Sequence, residues 1–172
     1  MKKSFAISLF SIFAAMIFSG CGYKMGTLVH PQLETVAVAP VVNETLSYNA
    51  SAMLRQKLTE AFMTDGSLKL KSVSEADCIV YARILKVNYY EIGGHIGNTD
   101  DDFLPDEWKV TADVEFSVII PGRAKPLIGP KTVSSSAEFV GEADLENARN
   151  NGLRQALYNA SRMIVTNLTE AW

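Results

Sequence analysis

Cys21 is the residue whose type and setting promise chemistry. Met1-Lys2-Lys3 precede an apolar run from Phe5 to Phe18, and the small residues Ser19 and Gly20 follow it. A charged start, a short apolar stretch and a small-residue cleavage point are the layout of a secretory signal, here with cysteine as the first residue kept. The pair Gly20-Cys21 looks like a bacterial lipobox. In that chemistry the Cys21 sulfur takes a diacylglyceryl group as a thioether and the bond after Gly20 is cut. Acyl chains such as palmitate then hold the mature chain on a membrane. Phe18 stands where leucine is usual, one apolar residue for another. The run is shorter than the roughly 20 residues a spanning helix needs. Lipid does the holding instead, each buried methylene adding about 0.8 kcal/mol. Gly22 replaces the aspartate that retains enteric lipoproteins in the inner membrane, which points to a periplasm-facing place on the outer membrane.

Other chemistry is hard to find. His30 and His95 lack the cysteine or carboxylate spacing of a zinc site. Asn98, Asp100, Asp102 and Asp106 follow the spacing of calcium-loop ligands, but Phe103 takes the place of the required glycine and Lys109 that of the bidentate glutamate. The stretch Ser134–Ser136 has no identifiable base. No nucleophile elbow, phosphate loop or Cys/His pair is present, so the residues predict no enzyme, no cofactor and no metal. Cys78 lies in an apolar alternating run and reads as a buried small hydrophobe, without a disulfide partner once Cys21 is a thioether.

Two features rise above scaffold. Arg123, Lys125 and Lys131 stand in a Pro/Gly-rich loop, where guanidinium and ammonium groups could meet the phosphates of a lipid headgroup. A solvated hairpin is the alternative. Tyr81, Leu85, Val87 and Tyr89 alternate along one strand and are expected to form an exposed apolar strip, a mark of a partner interface unless another segment covers it. The 172-residue chain carries a formal charge of −3, and losing Lys2 and Lys3 makes it more negative still. That balance argues against general nucleic-acid binding, which depends on neutralising phosphates.

The elements that must position these residues follow from periodicity. Residues 1–20 read as the signal peptide and 21–172 as one domain. Thr35–Val41 reads as a short buried strand. Residues 49–65 are helical, with Leu54, Leu58, Ala61 and Phe62 on one face and Asp65-Gly66 as the stop. Short Leu68–Val73 and long Cys78–Ile92 follow as strands, then an acidic loop over 93–106. From Trp108 to Ile120 apolar residues alternate with polar ones without a miss, the pattern of a strand with one wet face. Val133–Phe139 gives a last strand, and 143–171 a long helix carrying Gly152 in its apolar stripe. A mid-helix glycine there suggests a close packing approach.

The order is β-α-β-β-β-β-α. It predicts an α+β two-layer sandwich, a mixed sheet of four to five strands with two helices on one face. The first two strands are expected parallel and the rest a meander. Followed strand by strand, this places the start of the first strand beside the acidic loop. The turns after Val41 and at Ser74–Asp77 then share the opposite end with the basic loop.

Cys21-Gly22-Tyr23, the strand Val36–Pro40 closing on Asn43, the amphipathic helix, and Ala76-Asp77 opening a long strand together resemble the LptE family of lipopolysaccharide-assembly lipoproteins. The resemblance implies a partner, the outer-membrane barrel LptD. Such proteins sit in its lumen, help its assembly and assist delivery of lipopolysaccharide to the outer leaflet. The family ties basic loop residues to lipopolysaccharide. No local motif here matches theirs, and Arg123, Lys125 and Lys131 rest on their own chemistry. The alternative from the same architecture is a lipoprotein that activates a periplasmic peptidoglycan synthase. Such activators carry a long tether, and residues 22–34 are few for that.

Overall fold

The computed structural model describes residues 32–96, 103–141 and 144–170. The signal segment, Cys21, His30 and the calcium-loop positions Asn98, Asp100 and Asp102 lie outside the described residues. The chain runs β1 (Thr35–Val38), β2 (Val42–Asn43), α1 (Ala50–Asp65), β3 (Lys69–Leu70), β4 (Cys78–Ile96), β5 (Phe103–Ile119), β6 (Ile128–Val140) and α2 (Leu145–Thr169). The sheet order is β3-β1-β4-β5-β6, with β2 also paired to β4. This is the expected α+β two-layer arrangement. The two-residue β2 is an addition, set where Pro40 interrupts the first strand.

Strand direction corrects one expectation. β1 is parallel to both β3 and β4, with Val36 opposite Leu70 on one side and Cys78 on the other. β3 is too short to need a hairpin, so residues 71–77 pass the end of β1 and re-enter in the same sense. The start of β1 therefore shares an end with the Ser74–Asp77 turn and with the β5–β6 hairpin. The tip of the β4–β5 ribbon lies at the other. That ribbon corrects a second expectation: Gly94 pairs with Pro105 and Ile96 with Phe103, so much of 93–106 is strand. Glycines, a proline and two register shifts near Gly93 hide the alternation there.

The core lies between the sheet and both helices. Val110, Ala112, Val114, Phe116 and Val118 of β5 are buried against it, as their alternation requires. Leu54, Leu58 and Phe62 enter from α1, and Leu153, Leu157 and Ile164 from α2. Gly66 ends α1 in the left-handed region at φ 70, its N–H bonded to the Phe62 carbonyl at 3.0 Å. Asp144 caps α2 by accepting from the Asn147 N–H at 3.0 Å. Gly152 is buried against β6, where a β-carbon would overlap the Phe139 ring. Cys78 is fully buried, and burial first, then the Asp77 charge, pushes its thiol up to about 11.

The opposite sheet face is open and mostly polar. Ser134 bonds Asp113 at 2.5 Å, Lys109 faces Glu138 at 3.6 Å, and Arg83 bridges Glu44 at 3.1 Å and Glu115 at 2.5 Å. A small apolar cluster of Ala37, Ala39, Ala76 and Ile79 closes one end of it. At 25 residues α2 is about 37 Å long, whereas the 19 residues of β4 reach about 60 Å. The sheet outruns the helix that covers it.

Candidate functional site

The chain enters the domain at a fixed point. Leu33 is buried, and the Asp77 carboxylate accepts from the Glu34 and Thr35 N–H groups at 3.0 and 2.9 Å. Twelve residues back along the sequence lies Cys21, outside the described residues. Among the described residues no helix is long and apolar enough to cross a membrane.

The β5–β6 hairpin lies at this same end. Gly122, at φ 82, makes the turn that only glycine adopts freely. The hairpin is closed by the Arg123 N–H on the Ile120 carbonyl at 3.1 Å and the Leu127 N–H on the Val118 carbonyl at 2.8 Å. Arg123 and Lys125 project from its tip, exposed and without an ion-pair partner among the described residues. Lys131 is not with them. It sits four residues into β6, opposite Phe116, and its ammonium donates to the side-chain carbonyl of Asn167 on α2.

The expected apolar strip is divided between the two faces of the sheet. β4 carries a bulge at Leu85: Ile84 opposes Val114 while Lys86, not Leu85, opposes Asp113. One extra residue reverses the alternation beyond it. Tyr81, before the bulge, is 43% exposed on the open face. With Pro40, Val42 and Arg83 it lines a shallow depression of about 370 Å³. Val87 and Tyr89, after the bulge, pack on the helix side.

There Tyr89 meets Phe139 edge to face at 6.2 Å. The Arg149 guanidinium lies 5.6 Å from the Tyr89 ring and 5.2 Å from that of Trp108. Among the described residues neither Arg149 Nε nor Trp108 Nε1 has a hydrogen-bond partner, and the Arg149 cation faces the two rings. Burial raises the Tyr89 hydroxyl, opposed by a hydrogen bond with Ser47.

Two surfaces escaped the sequence reading. Leu46 is fully exposed and Tyr48 nearly so, on a loop fixed by Asn43. The Asn43 side chain accepts from Thr45 N–H at 3.0 Å and Thr45 Oγ1 at 2.8 Å, and donates to the Ser47 carbonyl at 2.9 Å. Short loops carry no periodicity to reveal this. The other is the outward side of α2, which shows Asn151, Arg154, Gln155, Arg162 and Met163 to solvent. Its signal was legible: between Glu146 and Glu170 the sequence has three arginines, no lysine and no acid.

The family model described as "LptE: Lipopolysaccharide-assembly" matches residues 33–171. No curated protein matches the chain. Among solved structures, protein XCC0632 from Xanthomonas campestris is similar at a TM-score of 0.60 and 12% identity, covering 85% of this chain and 88% of that one. The hypothetical protein CT253 from Chlamydia trachomatis is similar at 0.53 and 16%, covering 78% and 95%. PelC from Paraburkholderia phytofirmans, a dodecamer in its crystal, is similar at 0.51 and 13%, covering 82% and 90%. At such identities these likenesses concern the fold alone.

Proposed function

The chain belongs to the LptE lipopolysaccharide-assembly family, a non-enzymatic one, and on that premise we propose that it is the plug and chaperone subunit of an LptD-type outer-membrane barrel. Cys21, thioether-linked to lipid after cleavage at Gly20, anchors it on the periplasmic side of the outer membrane. The barrel lumen holds the folded domain, and the pair assists delivery of lipopolysaccharide to the outer leaflet. The observation that carries this reading is the family match across the whole folded domain.

Within it, Arg123 and Lys125 take the phosphates of lipopolysaccharide at the hairpin tip, with Lys131 contributing from β6. Tyr81, on the open sheet face, touches the barrel. Leu85, Val87 and Tyr89 support that face from the bulge and from the helix side. Envelopes extracted in mild detergent, with the chain affinity-captured and its companions identified by mass spectrometry, test the proposal. A stoichiometric outer-membrane barrel is expected. A peptidoglycan synthase in its place, or no companion at all, would overturn the reading.

A further inference from the structure

We infer that the loop over residues 44–49 is a second contact with the membrane, its Leu46 and Tyr48 side chains inserting into the leaflet that holds the Cys21 lipid. The inference rests on the Cys21 anchor proposed above, and asks of the barrel reading only that this loop stand outside the lumen rim.

Exposure is the first ground. Leu46 is fully exposed and Tyr48 85% exposed, while Thr45 and Ser47 are half-buried. Leucine presents apolar area that leaves water favourably. Tyrosine, an apolar ring with a polar tip, is a residue of the membrane interface. Both are held out on a fixed backbone. The Glu44 N–H donates to the Ile84 carbonyl at 3.0 Å, and Asn49, in the left-handed region at φ 58, turns the chain into α1. A preorganised tip loses little conformational freedom when it is buried.

The second ground is where the loop's polar groups turn. The Asn43 amide serves the Thr45 N–H, the Thr45 hydroxyl and the Ser47 carbonyl. The Thr45 hydroxyl also accepts from the Ser47 N–H at 3.2 Å, the Ser47 side chain bonds Tyr89, and Arg83 bridges the Glu44 carboxylate. A protein partner is met through an apolar centre and a polar rim that pairs across the contact. Here Asn43, Glu44, Thr45 and Ser47 are already engaged within the chain, and two apolar bodies are what remains on offer. Hydrocarbon supplies no hydrogen bonds and requires polar groups to be satisfied internally. The tip meets that requirement and lacks the rim.

Reach is the third. Val36 lies opposite Cys78 and Asn43 opposite Ile84, so the loop begins about 20 Å along β4 from the entry of the chain. Cys21 precedes Leu33 by twelve residues, at most about 40 Å of chain. Lipid and loop therefore reach one leaflet with the domain as it stands. Two points of contact fix an orientation that a single anchor does not. Charge sets the mode of contact: residues 42–50 hold no lysine or arginine, and Glu44 is their only acid. Insertion is by apolar area, not by attraction to headgroup phosphates, and is expected to survive high salt.

The test uses the full lipidated chain in vesicles of phosphatidylethanolamine and phosphatidylglycerol. A nitroxide is placed on Leu46→Cys or Tyr48→Cys, with Met63→Cys, an exposed position on α1, as control; Cys78 is buried and takes no label. Collision with oxygen is expected to rise, and collision with a water-soluble nickel chelate to fall, at 46 and 48 but not at 63. The difference should persist in about 1 M salt, where the screening length is about 3 Å. Adding Leu46→Ser to the labelled Tyr48→Cys chain should cut its immersed-to-aqueous ratio about tenfold, the factor one buried leucine gives. Equal collision rates at all three positions, or immersion lost in salt, would overturn the inference. Position 46 decides if the Tyr48 variant misfolds. In the envelope, Leu46→Ser/Tyr48→Ser is expected to capture the barrel as the unaltered chain does. Capture lost with the fold intact would mean that the tip meets protein, which sinks the inference and upholds the barrel reading. An unaltered chain that captures no barrel yet immerses its label sinks the barrel reading alone. Cys21 found unmodified by mass spectrometry removes the anchor and the inference together.

Discussion

Asp77 and Thr35 hold each other reciprocally. The Thr35 hydroxyl donates to the Asp77 carboxylate at 2.8 Å, and the Asp77 N–H donates back to that hydroxyl at 2.9 Å. With the Glu34 and Thr35 N–H groups also on the carboxylate, four hydrogen bonds pin the entry of the chain beside the first residue of β4. The turn before β4 and the start of β1, 42 residues apart, become one junction.

The Asp77 junction is expected to show in pH dependence. The Thr35 hydroxyl first, then the Glu34 and Thr35 backbone N–H groups, hold the Asp77 carboxyl below its ordinary 3.8. A depressed folded-state value stabilises the ionised, folded form. Its contribution is complete above the unfolded value and is lost as pH falls through the folded one. Asp77→Asn is expected to lower the melting temperature near neutrality by a few degrees. The variant should lose less stability than the parent between about pH 5 and about pH 3. Parallel melting curves across that range check it, and identical slopes would remove Asp77 from the account.

Gly152 offers a packing test. Alanine would favour the helix by about 1 kcal/mol, but its β-carbon collides with the Phe139 ring. Overpacking of this kind costs about 1–3 kcal/mol. Gly152→Ala is therefore expected to be neutral to destabilising by about 2 kcal/mol in urea unfolding. Adding Phe139→Leu should recover part of the loss. A stabilised single variant would mean that α2 and β6 are further apart than described.

The hairpin tip and Lys131 can be separated. Charge reversal at Arg123 and Lys125 together is expected to weaken lipopolysaccharide binding about tenfold, since each loses a charge-assisted contact. Lys131→Glu alone should act less, because that ammonium already serves Asn167. Binding measured on immobilised lipopolysaccharide, with circular dichroism as the check on folding, tells them apart. Equal effects at both places would mean that the three cations act as one patch.

Both helices and β5 were legible in the sequence because each has a dominant period. Leu54, Leu58 and Phe62 repeat at four-residue steps, and Trp108 to Val118 at two. β4 was legible in position but not in facing. Apolar residues occupy both parities between Cys78 and Leu85, and only the step from Arg83 to Lys86 and Asn88 on the solvent side marks the bulge at Leu85. The direction of β4 was hidden for a different reason. Residues 71–77 look like a hairpin turn, and only the brevity of β3 makes a parallel re-entry possible. Arg123 and Lys125 were found together; their proximity to the entry of the chain depended on that direction.

The extra residue at Leu85 divides β4 into two half-strands with opposite obligations. Before it, even-numbered positions belong to the interior; after it, odd-numbered ones do. Drift in the residues that meet solvent on one half therefore leaves the interior of the other untouched. Deleting the bulge would exchange inside for outside from Lys86 as far as the register shifts near Gly93, so this one position governs more of the molecule than its own side chain does.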